Sequence, residues 1–145
     1  MIRLEPVDPG NWRLGLRVAE SQKRFVSDDM RLLARAYAYR NSRSNAYIIY
    51  NDDVPVGMAL YYDCDELKAF DFSQIFIDER YQGKGFGTEA SRQILKIMES
   101  DGKHDKVVLC YIDGNETAKN MYEKLGFHLT GEYDGDEIIM EKILR

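Results

Sequence analysis

The chain has 145 residues, with 20 basic and 25 acidic side chains and a net charge of −5. That length suits one domain with a substantial core, and the acidic balance argues against a nucleic-acid-binding protein while leaving room for a cationic substrate. Cys64 and Cys110 belong to no CxxC or Cys/His array, so the reading is a reduced, cytoplasmic protein without disulfide or zinc. No apolar run approaches the about 18 residues of a membrane span, and the start lacks a signal-peptide core.

In chain order, Ile2 to Pro6 reads as a strand, and Asp8-Pro9-Gly10-Asn11 as a turn. Leu14, Val18, Ser21 and Phe25 then recur three or four residues apart, which predicts a first helix with a buried stripe. A second helix, from about Ser27 to Arg40, presents Met30, Leu33 and Tyr37 on one face. Ala46–Tyr50 and Val54–Asp63 are strands about the turn Asn51-Asp52-Asp53, and Lys68–Ile77 is another. A helix with Ala90, Ile94, Ile97 and Met98 inward ends near Gly102. Lys106–Ile112 is apolar enough to be buried on both faces. Asn115–Leu125 is helical and closes at Gly126, and Phe127–Tyr133 and Glu137–Ile143 flank the hairpin signal Asp134-Gly135. The order β-α-α-β-β-β-α-β-α-β-β predicts a single α/β (α+β) domain over residues 1–145, a mixed sheet of about seven strands flanked by about four helices.

Between the strand ending at Ile77 and the next helix lies Asp78-Glu-Arg-Tyr-Gln-Gly-Lys-Gly-Phe-Gly-Thr88. Glycines at 83, 85 and 87 let the backbone curl until successive N–H groups face an anion, and the helix adds its positive N-terminal end. The loop is therefore a candidate phosphate cradle. A Walker A loop needs Gly-Lys-Ser/Thr at its end, and here Lys84 precedes the second glycine, so that reading fails. Gly85-x-Gly87-x-x-Ala90 fits the dinucleotide fingerprint literally. However, Asp78 to Lys84 separate the first glycine from the strand, and Asp105 falls before the next strand rather than at its end.

Gln82-x-x-Gly85-x-Gly87 resembles the (Gln/Arg)-x-x-Gly-x-(Gly/Ala) signature of the GNAT acetyltransferase superfamily, and the element order resembles that fold from end to end. A second segment, Asn115-x-x-Ala118-x-x-x-Tyr122-x-x-x-Gly126-Phe127, is similar to another of its motifs. The resemblance implies that acetyl-CoA is the cosubstrate, without a metal. Its pyrophosphate would lie on Gly83, Lys84, Gly85, Phe86, Gly87 and Thr88, with Gln82 in the same motif. Its pantetheine arm would meet the backbone of Ile75, Phe76 and Ile77, and also Asn115. Tyr122 would donate a proton to the departing thiolate. Asn115 and Tyr122 are seven residues apart, roughly 10 Å along one helix face, so one ligand can touch both.

The same resemblance implies transfer to a small-molecule primary amine. The glutamate that some relatives carry five residues before the asparagine is replaced by Cys110. The carboxylate that others place eleven residues before the motif glutamine aligns with Asp71, the candidate base, and Glu79 is a further candidate. Phe76 to Gly85, Asn11-Trp12 with Gln22 and Phe25-Val26, and Gly131-Glu132 resemble the bacterial spermidine/spermine branch, implying a polyamine. Gln74 stands where that branch often has arginine. Asp63, Asp65 and Glu66 beside Tyr61 and Tyr62 are the expected polycation-binding groups. Acetylation of protein amines, amino acids or antibiotics, and a non-catalytic acyl-CoA-binding module, are the alternative readings. The terminal hairpin offers a sheet edge for a homodimer.

Overall fold

The computed structural model describes all residues from Met1 to Arg145. Its elements are β1 (Ile2–Pro6), α1 (Asp29–Ala38), β2 (Asn45–Asn51), β3 (Val54–Cys64), β4 (Ala69–Ile77), α2 (Phe86–Asp101), β5 (Lys106–Ile112), α3 (Glu116–Lys124), β6 (His128–Asp134) and β7 (Glu137–Ile143). The strands form one seven-stranded sheet in the order β1-β2-β3-β4-β5-β7-β6. Every neighbouring pair is antiparallel except β4 and β5. That parallel pair is joined through α2, as a crossover connection requires. No helix is long and apolar enough to cross a membrane.

Two apolar layers cover the sheet. On one face Ala90, Ile94, Leu95 and Met98 of α2 and Tyr122 of α3 pack with Phe70, Phe72, Val107, Leu109 and Met140. On the other, Leu32 of α1 packs with Leu16, Val18, Ile48, Met58, Leu60 and Phe76. Alternate residues of β3 and β4 feed opposite layers, as the period of two dictates. Burying each Val, Leu, Ile, Phe or Met side chain among these stabilises the fold by about 1.5–3 kcal/mol. The expected end of α2 is present: Gly102 is left-handed at φ 75° and donates its N–H to the Met98 carbonyl.

The first expected helix does not form, which leaves three α-helices where about four were read. Gly15 is left-handed at φ 72°, and the buried residues beyond it are Leu16 and Val18, while Leu14 is exposed. That is the alternation of extended chain, not a helical stripe. The segment is pinned to the end of β4: the Arg17 N–H donates to the Asp78 carboxylate at 2.8 Å, and the Arg17 carbonyl accepts from Glu79 N–H at 2.9 Å. Only Glu20–Gln22 makes a helical turn, of 3-10 type. Residues 16–27 are thus a strap across the sheet.

The second helix is shorter than read. Asp28 caps it by accepting from Arg31 N–H at 2.9 Å, as an N-terminal aspartate should. Its inward residues are Leu32, Leu33 and Ala36, while Met30 and Tyr37 are exposed. Strand β5 is buried on both faces except at Cys110, which is exposed. The α1 layer stops short of this position.

Asp63 at the end of β3 is buried and holds two cations and a histidine. Arg43 donates to it from Nε at 2.6 Å and from Nη2 at 2.9 Å, Lys103 Nζ lies at 2.9 Å, and His104 Nε2 lies at 3.2 Å. Arg43 also bridges to Asp101 at the end of α2, and the Arg43 guanidinium keeps the Asp63 carboxyl far below the usual carboxylate range. This network ties β3 to the connection between α2 and β5. Asp63→Ala should therefore lower stability at pH 7 by about 1–3 kcal/mol, less than for a fully buried pair because both cations are partly solvated. A urea midpoint equal to that of the parent chain would contradict this.

Candidate active site

Strands β4 and β5 are in register at only two pairs, Phe70 with Val107 and Asp71 with Val108. Beyond Asp71 they part. Ser73 is the extra residue of a bulge, since Leu60 pairs with Gln74 and Tyr61 with Phe72, and a bulge turns its strand away from its neighbour. The opening between the strands is a cavity of about 1020 Å³. The glycine loop and α3 lie at one side of it, and the strap and α1 at the other.

The loop is held from its start. Asp78 is fully buried and accepts from the N–H groups of Arg17 and Arg80 and from the Arg80 guanidinium. The Gln82 side chain donates to the Ile77 carbonyl at 3.2 Å, so the motif glutamine fastens loop to strand. Gly83 and Gly85 are left-handed, at φ 76° and 81°, and a Cβ at either would point into open space. Gly87 differs. It lies inside the first turn of α2, and its role is close approach: a Cβ there would touch Ile77 at 3.5 Å and the Met121 sulfur at 3.6 Å. No turn, loop or cap hydrogen bond uses the backbone N–H of any residue from Gln82 to Thr88 as donor, and α2 has no side-chain cap. A row of unpartnered donors at a helix N-terminus attracts an anion.

The structure brings nearly all of the expected residues together. Asp71, Ile75, Phe76, Ile77, Gln82, Gly83, Gly85, Phe86, Gly87, Thr88, Asn115 and Tyr122 all line the cavity, whereas Lys84 does not. The Phe76 side chain belongs to the core on the α1 face, so only its backbone faces a ligand. Asn115 caps α3 by accepting from Ala118 N–H at 3.3 Å, which leaves its side-chain NH₂ group for the cavity. Glu79 is exposed and lies outside the lining.

Tyr122 is buried, and its ring meets Phe72 and Phe127 edge-on, with centroids at 6.2 and 5.7 Å. Its hydroxyl takes part in none of the side-chain hydrogen bonds within the protein, and burial pushes its pKa well above that of a free phenol. Asp71 sits where the strands part. Burial raises its carboxyl to about 6, Arg35 opposing and Glu137 reinforcing the shift.

Two lining groups, Asp134 and Glu137, carried no functional signal in the sequence. Cys110, Asp134 and Glu137 stand near Asp71 on the open floor. Burial pushes the Cys110 thiol up to about 11, and Glu137, Asp71 and Asp134 add to that. Asp134 reads only as part of a hairpin turn, and Glu137 sits in no motif. The pairing of β5 with β7, which places Glu137 opposite Ile112, is what brings them in. The acidic loop expected to bind a polycation lies elsewhere: Asp63, Asp65, Glu66 and Tyr61 are all absent from the lining, and Asp63 is already neutralised by Arg43. Of that group only Tyr62 reaches the cavity, stacked on Tyr39 at 4.0 Å and 5°.

Known proteins match this architecture. Residues 14–127 fit the acetyltransferase (GNAT) family, and the chain belongs to that family. As a member it is an acetyl-CoA-dependent N-acetyltransferase. It is 30% identical over 104 residues to the spermine/spermidine N(1)-acetyltransferase of Bacillus subtilis (strain 168), a match that covers 66% of this chain and 68% of that protein. Spermidine N-acetyltransferase from Vibrio cholerae in complex with CoA and spermine has the same fold, with a TM-score of 0.78 at 17% identity over 99% of this chain and 95% of that one. AAC(6')-Ib in complex with parmomycin and acetyl-CoA is equally similar, with a TM-score of 0.79 at 16% identity over 98% of this chain and 93% of that one.

A carboxyl whose pKa rises on folding binds more protons in the folded state, so stability falls as pH climbs from the unfolded value through the folded one. For Asp71, raised from 3.8 to about 6, the loss is about 3 kcal/mol, complete above pH 6. Asp71→Asn should therefore be more stable than the parent at pH 8, and the advantage should disappear by pH 4. Thermal unfolding at the two pH values checks this; an equal difference at both would contradict it.

Proposed function

We propose that the chain transfers the acetyl group of acetyl-CoA to a primary amine of a small molecule, with the cofactor in the gap between β4 and β5. The observation that carries this reading is the row of unpartnered N–H groups from Gln82 to Thr88, continuous with the edge of β4 that β5 leaves unpaired. The row suits a pyrophosphate. The unpaired edge at Ile75, Phe76 and Ile77 suits an amide-bearing arm, which would add to the sheet as an extra strand does, with Asn115 donating from the opposite side.

In this arrangement the thioester lies near Tyr122, and the acceptor enters from the side of Asp71. The amine lone pair attacks the carbonyl carbon and forms the C–N bond. The nitrogen then gives up a proton to Asp71, and the C–S bond breaks with its electron pair passing to sulfur. Deprotonating an alkylammonium of pKa near 10.4 at pH 7 costs about 4–5 kcal/mol, and a carboxylate at about 6 contributes most once the nitrogen has been acidified by bond formation. Tyr122 donates to the departing sulfur. Its raised pKa keeps the phenol protonated, so the hydroxyl acts by hydrogen bonding to developing charge, with proton delivery to the thiolate completed from solvent.

Among acceptors, a polyamine is the class named by the Bacillus relative. Support within the cavity comes from Asp71, Asp134 and Glu137, none of which has a salt-bridge partner, and from the stacked faces of Tyr39 and Tyr62. The cations that line the opposite wall favour a second acceptor class, developed below. Strand β6, exposed along nearly its whole length, supports a homodimer through the sheet edge.

A Tyr122→Phe chain, assayed for acetyl-CoA consumption over a panel of polyamines, amino acids, aminoglycosides and peptides, separates chemistry from binding. Turnover of the amine used by the parent should fall at least about tenfold, while affinity for CoA stays within about threefold, because only the hydroxyl is lost. Unchanged turnover would remove Tyr122 from the reaction. Consumption with none of these amines in the parent chain would favour the acyl-CoA-binding module.

A further inference from the structure

The acceptor side of the cavity is divided by sign. On the sheet, every charged residue in the lining is acidic: Asp71, Asp134 and Glu137. On the strap and α1, every one is basic: Lys23, Arg24, Arg31 and Arg35. In a chain of net charge −5 composition does not account for a wholly cationic wall. Two of the four cations are engaged. Lys23 is bridged to Glu20 at 2.8 Å, and the Arg24 guanidinium lies over the Phe25 ring at 4.5 Å. Arg31 and Arg35 are exposed and have no carboxylate within salt-bridge distance; Arg35 reaches the Tyr62 hydroxyl, and Arg31 makes no side-chain hydrogen bond within the protein. They are four residues apart in α1, so both project from the same face. Like charges at that spacing repel, and an anion between them would relieve that repulsion.

The nearby acids on that helix are occupied. Asp28 caps the Arg31 N–H, and Asp29 accepts from the Met30 N–H. Both line the cavity, and Arg35 is on its acceptor side: it is near enough to Asp71 to oppose the rise of its pKa, and it neighbours the Tyr62 hydroxyl. Guanidinium groups are the side chains best matched to the planar fork of a carboxylate and to phosphate oxygens.

We propose that Arg31 and Arg35 form an anion-binding subsite at the acceptor end of the cavity, so that the molecule acetylated is a primary amine that also carries a carboxylate or phosphate. The acids of the floor receive its ammonium and the arginines of α1 its anionic group, which sets the amine beside Asp71 in one orientation. A polycation meets the same acids but finds two guanidinium groups above them that repel it. The inference rests on the acetyl-transfer reading and narrows its acceptor.

The test uses probes that differ by the anion alone. Lysine is 1,5-diaminopentane with a carboxylate added, and phosphoethanolamine is ethanolamine with a phosphate added. With the parent chain, kcat/KM for at least one anionic member should exceed that of its partner by about tenfold or more, and which pair shows the gain identifies the anion. Arg31→Gln, a surface change in a helix whose cap uses only the Arg31 backbone, should remove most of that preference by raising KM for the anionic amine. KM for acetyl-CoA should stay within about twofold, and Arg31→Lys should restore part of the preference. Turnover of both members of each pair without preference, faster turnover of spermidine than of any anionic amine, or a rise confined to KM for acetyl-CoA would each overturn the subsite while leaving acetyl transfer in place. No consumption of acetyl-CoA with any probe would overturn it together with the acetyl-transfer reading.

Discussion

The parting of β4 from β5 after Asp71 is the constraint on which the site depends. Two parallel strands that stayed paired would consume the donors and acceptors of both edges and leave no space between them. Here the pairing stops at Val108, the Ser73 bulge bends β4 away, and each strand keeps a row of unspent backbone groups facing the gap. The gap survives because its back wall is filled. Tyr122 is wedged between Phe72 and Phe127, and the missing side chain of Gly87 lets α2 close on Met121 of α3. A cofactor bound there would be held chiefly by main chain, which would explain how so few side chains suffice for it.

Burial sets the chemistry on either side of that gap. The two groups proposed to act in the reaction are both shifted toward their neutral forms, Asp71 to about 6 and Tyr122 above the range of a free phenol. For Asp71 the shift is useful, because a carboxyl poised near neutrality takes and releases a proton more readily than one at its ordinary value. For Tyr122 it guarantees a proton to share and opposes giving that proton away. The two faces of the acceptor cavity then differ in sign, acids on the sheet and cations on α1, a separation that a substrate of a single charge leaves half unused.

Much of this was legible in the sequence, because the cofactor side is local. The phosphate loop and the Asn115 to Phe127 segment are each continuous in the chain, so their resemblance to the family motifs picked out Gly83, Gly85, Asn115 and Tyr122, all of which line the cavity. Asp71 was picked out by resemblance too, as the residue eleven before the motif glutamine, where some members of the family carry a carboxylate. The acceptor side is not local. Asp134 and Glu137 reach it because β7 is inserted between β5 and β6, and Arg31 and Arg35 because α1 lies on that face, neither of which leaves a pattern in the residues themselves. The strap was misread for a related reason. Leu14, Val18, Ser21 and Phe25 satisfy a helical period, but Leu16 and Val18 satisfy the period of an extended chain, and Gly15 with the Asp78 anchor decides between them. The acids Asp63 and Asp65 stood out by composition, yet their partners, Arg43 and Lys103, are 20 and 40 residues from Asp63.

The most direct test of the central claim is residue-resolved NMR of the backbone amides during titration with CoA. If the gap between the strands is the cofactor site, amide resonances from Gln82 to Thr88 and at Ile75 to Ile77 should shift most, and their hydrogen exchange should slow on saturation as the unpartnered N–H groups acquire acceptors. Binding of CoA that left the exchange of Gly83, Gly85 and Thr88 unchanged would contradict the account.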